Sequence, residues 1–325
     1  MRNSTGSARV LRALGLMIGF LAMEVSTAAS YLGYGGGPVG GTFNYFANAM
    51  ASYIPKHCPG IQVSSEGSGG STANLKRLDK GGIDFGIVYS GDAFLGREGR
   101  LPHDTNRYRN SRAVAYLYGA PAHLVTRKND GYESTQDLVG KRVAVGNAGS
   151  GAAAAAERFF THLGLWDKLD KQFLGYSAAA AALNDGKIDA FWVFVGYPNA
   201  SVIEAAARDD IRLIDVGEDA ERTGLYEAYP FYAPLDIPAG TYRGQDKPVN
   251  SFQDAAYWLA GKDVKDDVVY CAVSEIFSAE GLKHMVAAKS TAKSMSIPDG
   301  LKGVSIPVHP GASRFWQEND TAVPE

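Results

Sequence analysis

The chain has 325 residues, 45% hydrophobic and 21% charged, with a formal net charge of −3. That length implies one large or two medium cores. The near-neutral balance excludes the basic footprint of a nucleic-acid binder or of a protein held on anionic lipid. Any anionic ligand must therefore be met by local dipoles and a few placed side chains.

Arg2, Arg9 and Arg12 precede the apolar run ALGLMIGFLAM (13–23) and the small residues STAAS (26–30). This is the charged start, apolar centre and small-residue cleavage pattern of a secretory signal. The apolar run is too short to span a bilayer, and no cysteine follows it to carry a lipid anchor. Residues 1–30 are expected to be removed near Ala29 or Ser30, releasing a soluble periplasmic protein, and no later segment reads as membrane-spanning. Cys58 and Cys271 fit two readings, a disulfide formed in an oxidising compartment or two separate small core residues.

The mature chain opens with a strand at 31–34, then GGGPVGG (35–41), then a helix at 42–54 with Phe43, Phe46, Ala47 and Met50 on one face. PKHCPG (55–60) is expected to break that helix. IQVSS (61–65) alternates as a strand, GSGGS (67–71) opens a second loop-to-helix junction, and the helix at 71–79 ends at Gly81–Gly82. IDFGIVYS (83–90) reads as a buried strand. KRVAVGNAGSGAAAAAERFF (141–160) repeats the order of strand, glycine loop and helix. LNDGKIDAFWVFV (183–195) echoes LDKGGIDFGIV (78–88), with Leu78, Gly81, Ile83 and Asp84 aligned on Leu183, Gly186, Ile188 and Asp189. Strands alternating with helices imply parallel, helix-covered sheets, here in two similar lobes. YPFYAPLDIPAGTYRGQDKPV (229–249) reads as extended connection and SFQDAAYWLA (251–260) as a returning strand. Residues 264–290 have helical spacing with Gly281 as a break. Short helices complete the chain. One lobe interrupted by the other fits this order.

Three loop-to-helix junctions, at 35–43, 67–72 and 146–152, carry the functional reading. The first N–H groups of a helix have no partner within it and carry a partial positive charge. Glycine allows close approach, and Thr42, Ser71 or Ser150 can add a hydroxyl, a combination suited to carboxylate or phosphate. A single loop of this kind is an ordinary capped turn; three in one chain, two at matching points of similar lobes, point to a ligand. Enzymatic signatures are missing: no acidic residue follows the glycines at 35–40 at the place a dinucleotide fingerprint needs, there is no P-loop or hydrolase elbow, and the histidines have no metal-ligand spacing. No catalytic residue, metal or cofactor is expected. Asp84 and Asp189, each just after a helix-ending glycine, read as strand-start or capping groups rather than paired catalytic acids.

The segments GGPVGGTFNYFANAMA (36–51), GSGGSTANLKRLDKGGIDFGIVYSGDA (67–93), GKRVAVGNAGSGAAAAAERFF (140–160), LNDGKIDAFWVFVGYPNA (183–200) and IPAGTYRGQD (237–246) together resemble the TAXI-type solute receptors of TRAP transporters. The resemblance covers nearly the whole mature chain. It implies a type II-like periplasmic-binding-protein fold, with each lobe a mainly parallel sheet flanked by helices and the ligand cleft between lobes. The lobes would be 31–121 plus 251–325, and 122–250. It implies capture of a small organic anion, of the glutamate or dicarboxylate class, by a monomeric receptor that hands it to a membrane permease. Carried over residue by residue, the contacts are Thr42, Phe43, Ser68, Gly69, Ser71 and Tyr89 from lobe one. Lobe two supplies Asn147, Ser150, Gly151 and Ala152, with Trp192 and Gly196. The chain has Tyr89-Ser90-Gly91 where many members have Gln-Ser-Asp, with Asp92 one place later, which leaves the ligand open. A sensor that reports to a membrane kinase, or an exported enzyme in the same cleft, are the alternative readings.

Overall fold

Strand β1 (Ser30–Gly35) feeds through the glycine run into α1 (Thr42–His57), whose buried residues Phe43, Phe46, Ala47, Met50, Tyr53 and Ile54 form the i, i+3, i+4, i+7 stripe of a core-facing helix. The computed structural model describes residues 29–324, so the signal segment lies outside the described residues apart from its last two positions. The first lobe continues with β2 (Ile61–Glu66), α2 (Ser71–Asp79), β3 (Phe85–Tyr89) and α3 (Ser90–Glu98). β1 pairs in parallel with β2 on one side and β3 on the other.

A 17-residue strand, β4 (Ser111–Arg127), leads into the second lobe. There β5 (Arg142–Ala144), α4 (Gly151–His162), β6 (Asp170–Gln172), α5 (Tyr176–Asn184) and β7 (Ala190–Phe194) repeat the parallel arrangement, β5 lying between β6 and β7. α6 (Ala200–Arg208), β8 (Ile211–Ile214), α7 (Gly217–Arg222) and α8 (Leu225–Ala228) follow. The chain returns through β9 (Tyr232–Ile237) and β10 (Val249–Gly261), and ends in α9 (Asp266–Ile276), α10 (Ala279–Ala288) and α11 (Pro310–Glu318).

The strand order is β2-β1-β3-β10-β4-β7-β5-β6, with β8 also on β4 and β9 also on β10. β4 changes partner along its length. Ser111 to Pro121 pair with β10, and Ala122 to Arg127 with β7 and β8. The strands inside each lobe run parallel, whereas β4 and β10 are antiparallel to their neighbours.

The internal echo is structural. Gly33 N–H donates to Asp84 Oδ2 and Arg142 N–H to Asp189 Oδ2, both at 2.8 Å. In return Asp84 N–H donates to Gly33 O and Asp189 N–H to Arg142 O. Each aspartate stitches the start of its strand to the neighbouring parallel strand. The preceding glycines Gly81 and Gly186 have φ of 68° and 67°, the left-handed turn needed to leave the helix.

Several elements differ from the sequence reading. α1 runs past Pro55 to His57, because a proline this near the end removes only one ladder bond while Cys58 N–H still reaches Ile54 O at 2.8 Å. The strand expected to reach residue 90 stops at Tyr89, where α3 begins. Part of the expected connection at 229–249 is β9, paired along β10. The helical break falls at Phe277–Ser278 rather than Gly281, which lies in the first turn of α10 capped by Ser278 Oγ. Cys58 and Cys271 are joined in a disulfide that ties the end of α1 to α9.

Candidate functional site

Four helices begin around one crevice. α1 and α2 reach it from the first lobe with Thr42 and Ser71, and α4 and α5 from the second with Gly151 and Tyr176. Gly41, Phe43, Gly69, Gly70 and Tyr89 complete the first wall, and Asn147, Ser150, Ala152, Gly175 and Val195 the second, with Pro38 at the edge. None of these side chains is charged. The crevice is partly open to solvent and leaves about 20 Å³, room for a single water-sized group, so the lobes are drawn together.

The donors are mostly backbone. Among the described residues, the N–H groups of Thr42, Phe43, Gly151 and Ala152 make no hydrogen bond within the protein. The two serine hydroxyls hold the junctions in shape: Ser71 Oγ accepts from Tyr89 N–H at 2.9 Å, and Ser150 Oγ caps α4 through Ala153 N–H at 3.0 Å. Thr42 is fully buried, its hydroxyl beside that of Tyr118 without a well-formed hydrogen bond. Burial pushes the hydroxyls of Tyr89 and Tyr176 above the ordinary tyrosine range, so both remain neutral donors.

The same residues join the lobes. Tyr89 Oη donates to Phe194 O at 2.5 Å, and Tyr176 Oη donates to the same carbonyl at 3.1 Å. Thr72 Oγ1 donates to Gly149 O. Gly151 must be glycine for this closure, since an added Cβ would lie 2.5 Å from Ser71 Cβ.

Of the residues singled out from the sequence, Thr42, Phe43, Gly69, Ser71, Tyr89, Asn147, Ser150, Gly151 and Ala152 converge here. Three lie elsewhere. Ser68 fastens the second loop to the first, donating to Gly36 O at 2.9 Å and accepting from Gly70 N–H at 3.0 Å. Trp192 is 1% exposed and packs in the second lobe's core against Phe159, Phe160, Phe194 and Phe252. Gly196 sits against Thr291 and Tyr118.

Sequence reasoning missed the fourth helix start, Gly175–Tyr176. It also missed the charges behind the wall. Asp92 of α3 pairs with Arg158 of α4 at 3.1 Å across the lobes, both buried. Arg158 Nε donates to Tyr232 Oη at 2.8 Å. Its place seven residues after Gly151, on the same helix face, was the available signal.

The fifth resemblance segment supports the second lobe from behind. Asn199 N–H donates to Tyr242 Oη at 3.0 Å, Tyr242 Oη donates to His123 Nε2 at 2.9 Å, and His123 Nδ1–H donates to Pro121 O at 3.1 Å. Burial lowers the His123 pKa to about 4, consistent with this neutral tautomer. Among the described residues there is no cluster of His, Cys, Asp and Glu that could hold a metal ion, and no helix long and apolar enough to cross a membrane.

The fold is shared with solved structures. A protein from Bordetella bronchiseptica matches with a TM-score of 0.54 at 17% identity, over 91% of this chain and 85% of that one. The ligand-binding component of an ABC-type import system from Staphylococcus aureus, solved with zinc bound, matches at 0.52 and 12% identity, over 91% and 94%. PhnD1 from Prochlorococcus marinus in complex with methylphosphonate matches at 0.51 and 14% identity, over 78% and 89%. At these identities the likeness is one of fold, the two-lobed fold of periplasmic binding proteins. The NMT1-like family model matches residues 34–319, from the first strand through the last helix, and the chain belongs to that family.

Proposed function

We propose that this protein is an extracytoplasmic solute receptor that closes its lobes on a small organic anion and presents it to a membrane permease. One observation carries the reading: four helix starts, two from each lobe, meet in a crevice without charged side chains, where free backbone N–H groups offer the positive ends of helix dipoles. Such donors suit a carboxylate or another compact oxyanion, each charge-assisted bond being worth about 1.5–3 kcal/mol. Thr42, Phe43, Gly69, Ser71, Tyr89, Asn147, Ser150, Gly151 and Ala152 are the proposed contacts, joined by Tyr176. The lobes are taken as 31–121 with 251–325, and 122–250, a division supported by the change of partner along β4 between Pro121 and Ala122.

The TAXI-like segments favour a TRAP-type permease and a dicarboxylate or glutamate-like solute. The likeness to the Staphylococcus aureus ABC-type import component and to the Prochlorococcus marinus protein in complex with methylphosphonate favours an ABC importer and a tetrahedral oxyanion. The amino-terminal signal pattern supports export to the periplasm. A thermal-shift screen of the mature chain against dicarboxylates, amino acids, oxo acids, sulfonates and phosphonates tests the reading. A solute at 100 times its Kd adds about 2.7 kcal/mol of stability; no shift with any anion sinks the proposal. The permease class is read from which membrane protein is required for uptake of that solute.

A further inference from the structure

The crevice has no charged side chain, yet three charge-bearing groups are sealed behind it. Asp92 and Arg158 pair across the lobes with 0% and 5% of their side chains exposed. Asp254 on β10, also fully buried, accepts from Ser90 Oγ at 2.5 Å and from Gly91 N–H at 3.2 Å. The titratable groups facing them are Tyr232 from β9, Tyr89 from β3 and Tyr257 from β10, and burial raises the pKa of all three hydroxyls, so they add no charge. With both carboxylates ionised against one guanidinium, the cluster carries one uncompensated negative charge out of water, which is costly. With one carboxyl protonated it is neutral. The cluster backs directly onto the crevice wall: among the described residues Asp92 Oδ2 and Arg158 Nη2 have no hydrogen-bond partner, and that Oδ2 lies 2.6 Å from where a Cβ on the lining residue Gly151 would stand. An anion at the start of α4 and the excess charge of the cluster would face the same helix dipole.

We propose that this cluster is a proton site coupled to the crevice: when an anion settles against the start of α4, Asp254 takes up a proton from solvent and gives it back when the anion leaves. This rests on the anion-receptor reading above. The proton converts one carboxylate to a carboxyl, so the negative charge that enters is matched by the positive charge that follows it. Burial already raises the Asp254 carboxyl to about 7, with the charge of Asp92 adding to the effect, so a further anion nearby extends protonation above neutrality.

The test is calorimetry of the mature chain with succinate, L-glutamate and methanesulfonate, in buffers of different ionisation enthalpy, from about pH 7 to about pH 8.5. The expected result is a binding heat that depends on the buffer, reporting up to about half a proton taken up at pH 7 and more on the alkaline side, with Kd rising towards tenfold per pH unit there. Asp254→Asn, which keeps the acceptor for Gly91 and Ser90, should bind with no proton exchange and a flat Kd. Binding by the wild-type chain with a buffer-independent heat and a flat Kd overturns the coupling and leaves the receptor reading intact. No binding of any of the three probes, nor of any other anion of the thermal-shift screen, overturns both.

Discussion

Ser71 and Gly151, the first residues of helices from opposite lobes, meet face to face, so that a Cβ on Gly151 would stand only 2.5 Å from Ser71 Cβ. Closure depends on that missing methyl group. Gly151→Ala should hold the lobes apart without unfolding either one. Anion affinity is expected to fall at least tenfold, about 1.4 kcal/mol, and small-angle scattering should show a larger radius of gyration. An alanine variant that closes and binds like the wild type would mean the contact does not limit closure.

Tyr89 Oη bonds the second lobe at Phe194 O, a carbonyl that Tyr176 Oη also serves. Tyr89→Phe should therefore weaken closure by about 1 kcal/mol, near fivefold in anion affinity. Removing both hydroxyls should cost more than twice that, because the carbonyl is then left without its donors. A double-mutant cycle on affinity reads this coupling, and strict additivity would show the two bonds to be independent.

Two buried groups should give the stability opposite slopes against pH. The folded-state pKa of Asp254 is raised to about 7 from 3.8. Its contribution is fully present below the unfolded value and is lost as pH rises through about 7. His123 is lowered to about 4 from 6.5. Its contribution is present above the unfolded value and is lost as pH falls towards 4. Asp254→Asn should thus gain stability relative to the wild type as pH is raised from about 4 to about 8, by up to a few kcal/mol. Thermal unfolding of both proteins across that range checks the sign; parallel curves would remove Asp254 from the account.

The Cys58–Cys271 disulfide closes a sequence separation of 213 residues. It joins α1 to α9 at a distance from the crevice. Reduction, or Cys271→Ser, should lower stability by about 2–4 kcal/mol while leaving anion affinity within twofold. A large loss of affinity on reduction would instead tie the bridge to the site.

Much of the crevice was legible in the sequence because dense glycine before an amphipathic run has few other uses: three of its four helix starts announce themselves at 35–41, 67–70 and 146–151. The fourth, at Gly175–Tyr176, has one glycine and an alanine-rich helix behind it, too little to set it apart from an ordinary turn. The repeat was readable because Asp84 and Asp189 do the same local task, each bonding the backbone of the adjacent strand. Trp192 was carried over from the resemblance, but β7 is buried on both faces, so its side chain packs in the core. Asp254 lies 162 residues from Asp92 and meets it through the pairing of β10 beside β3, whereas Arg158, 66 residues from Asp92, reaches it from the other lobe; no local pattern records either meeting. Strand β9 was hidden by Pro234 within it and by the prolines and tyrosines around it, which suit an edge position as well as a loop.

β4 and β10 remain paired from Ser111 opposite Gly261 to Pro121 opposite Gln253, with irregularities only at Ala256/Tyr257 and Trp258/Leu259. All of that ladder lies on the first lobe's side of the crossing at Pro121–Ala122, so the lobes of the proposed receptor can part and meet with no rung broken and remade.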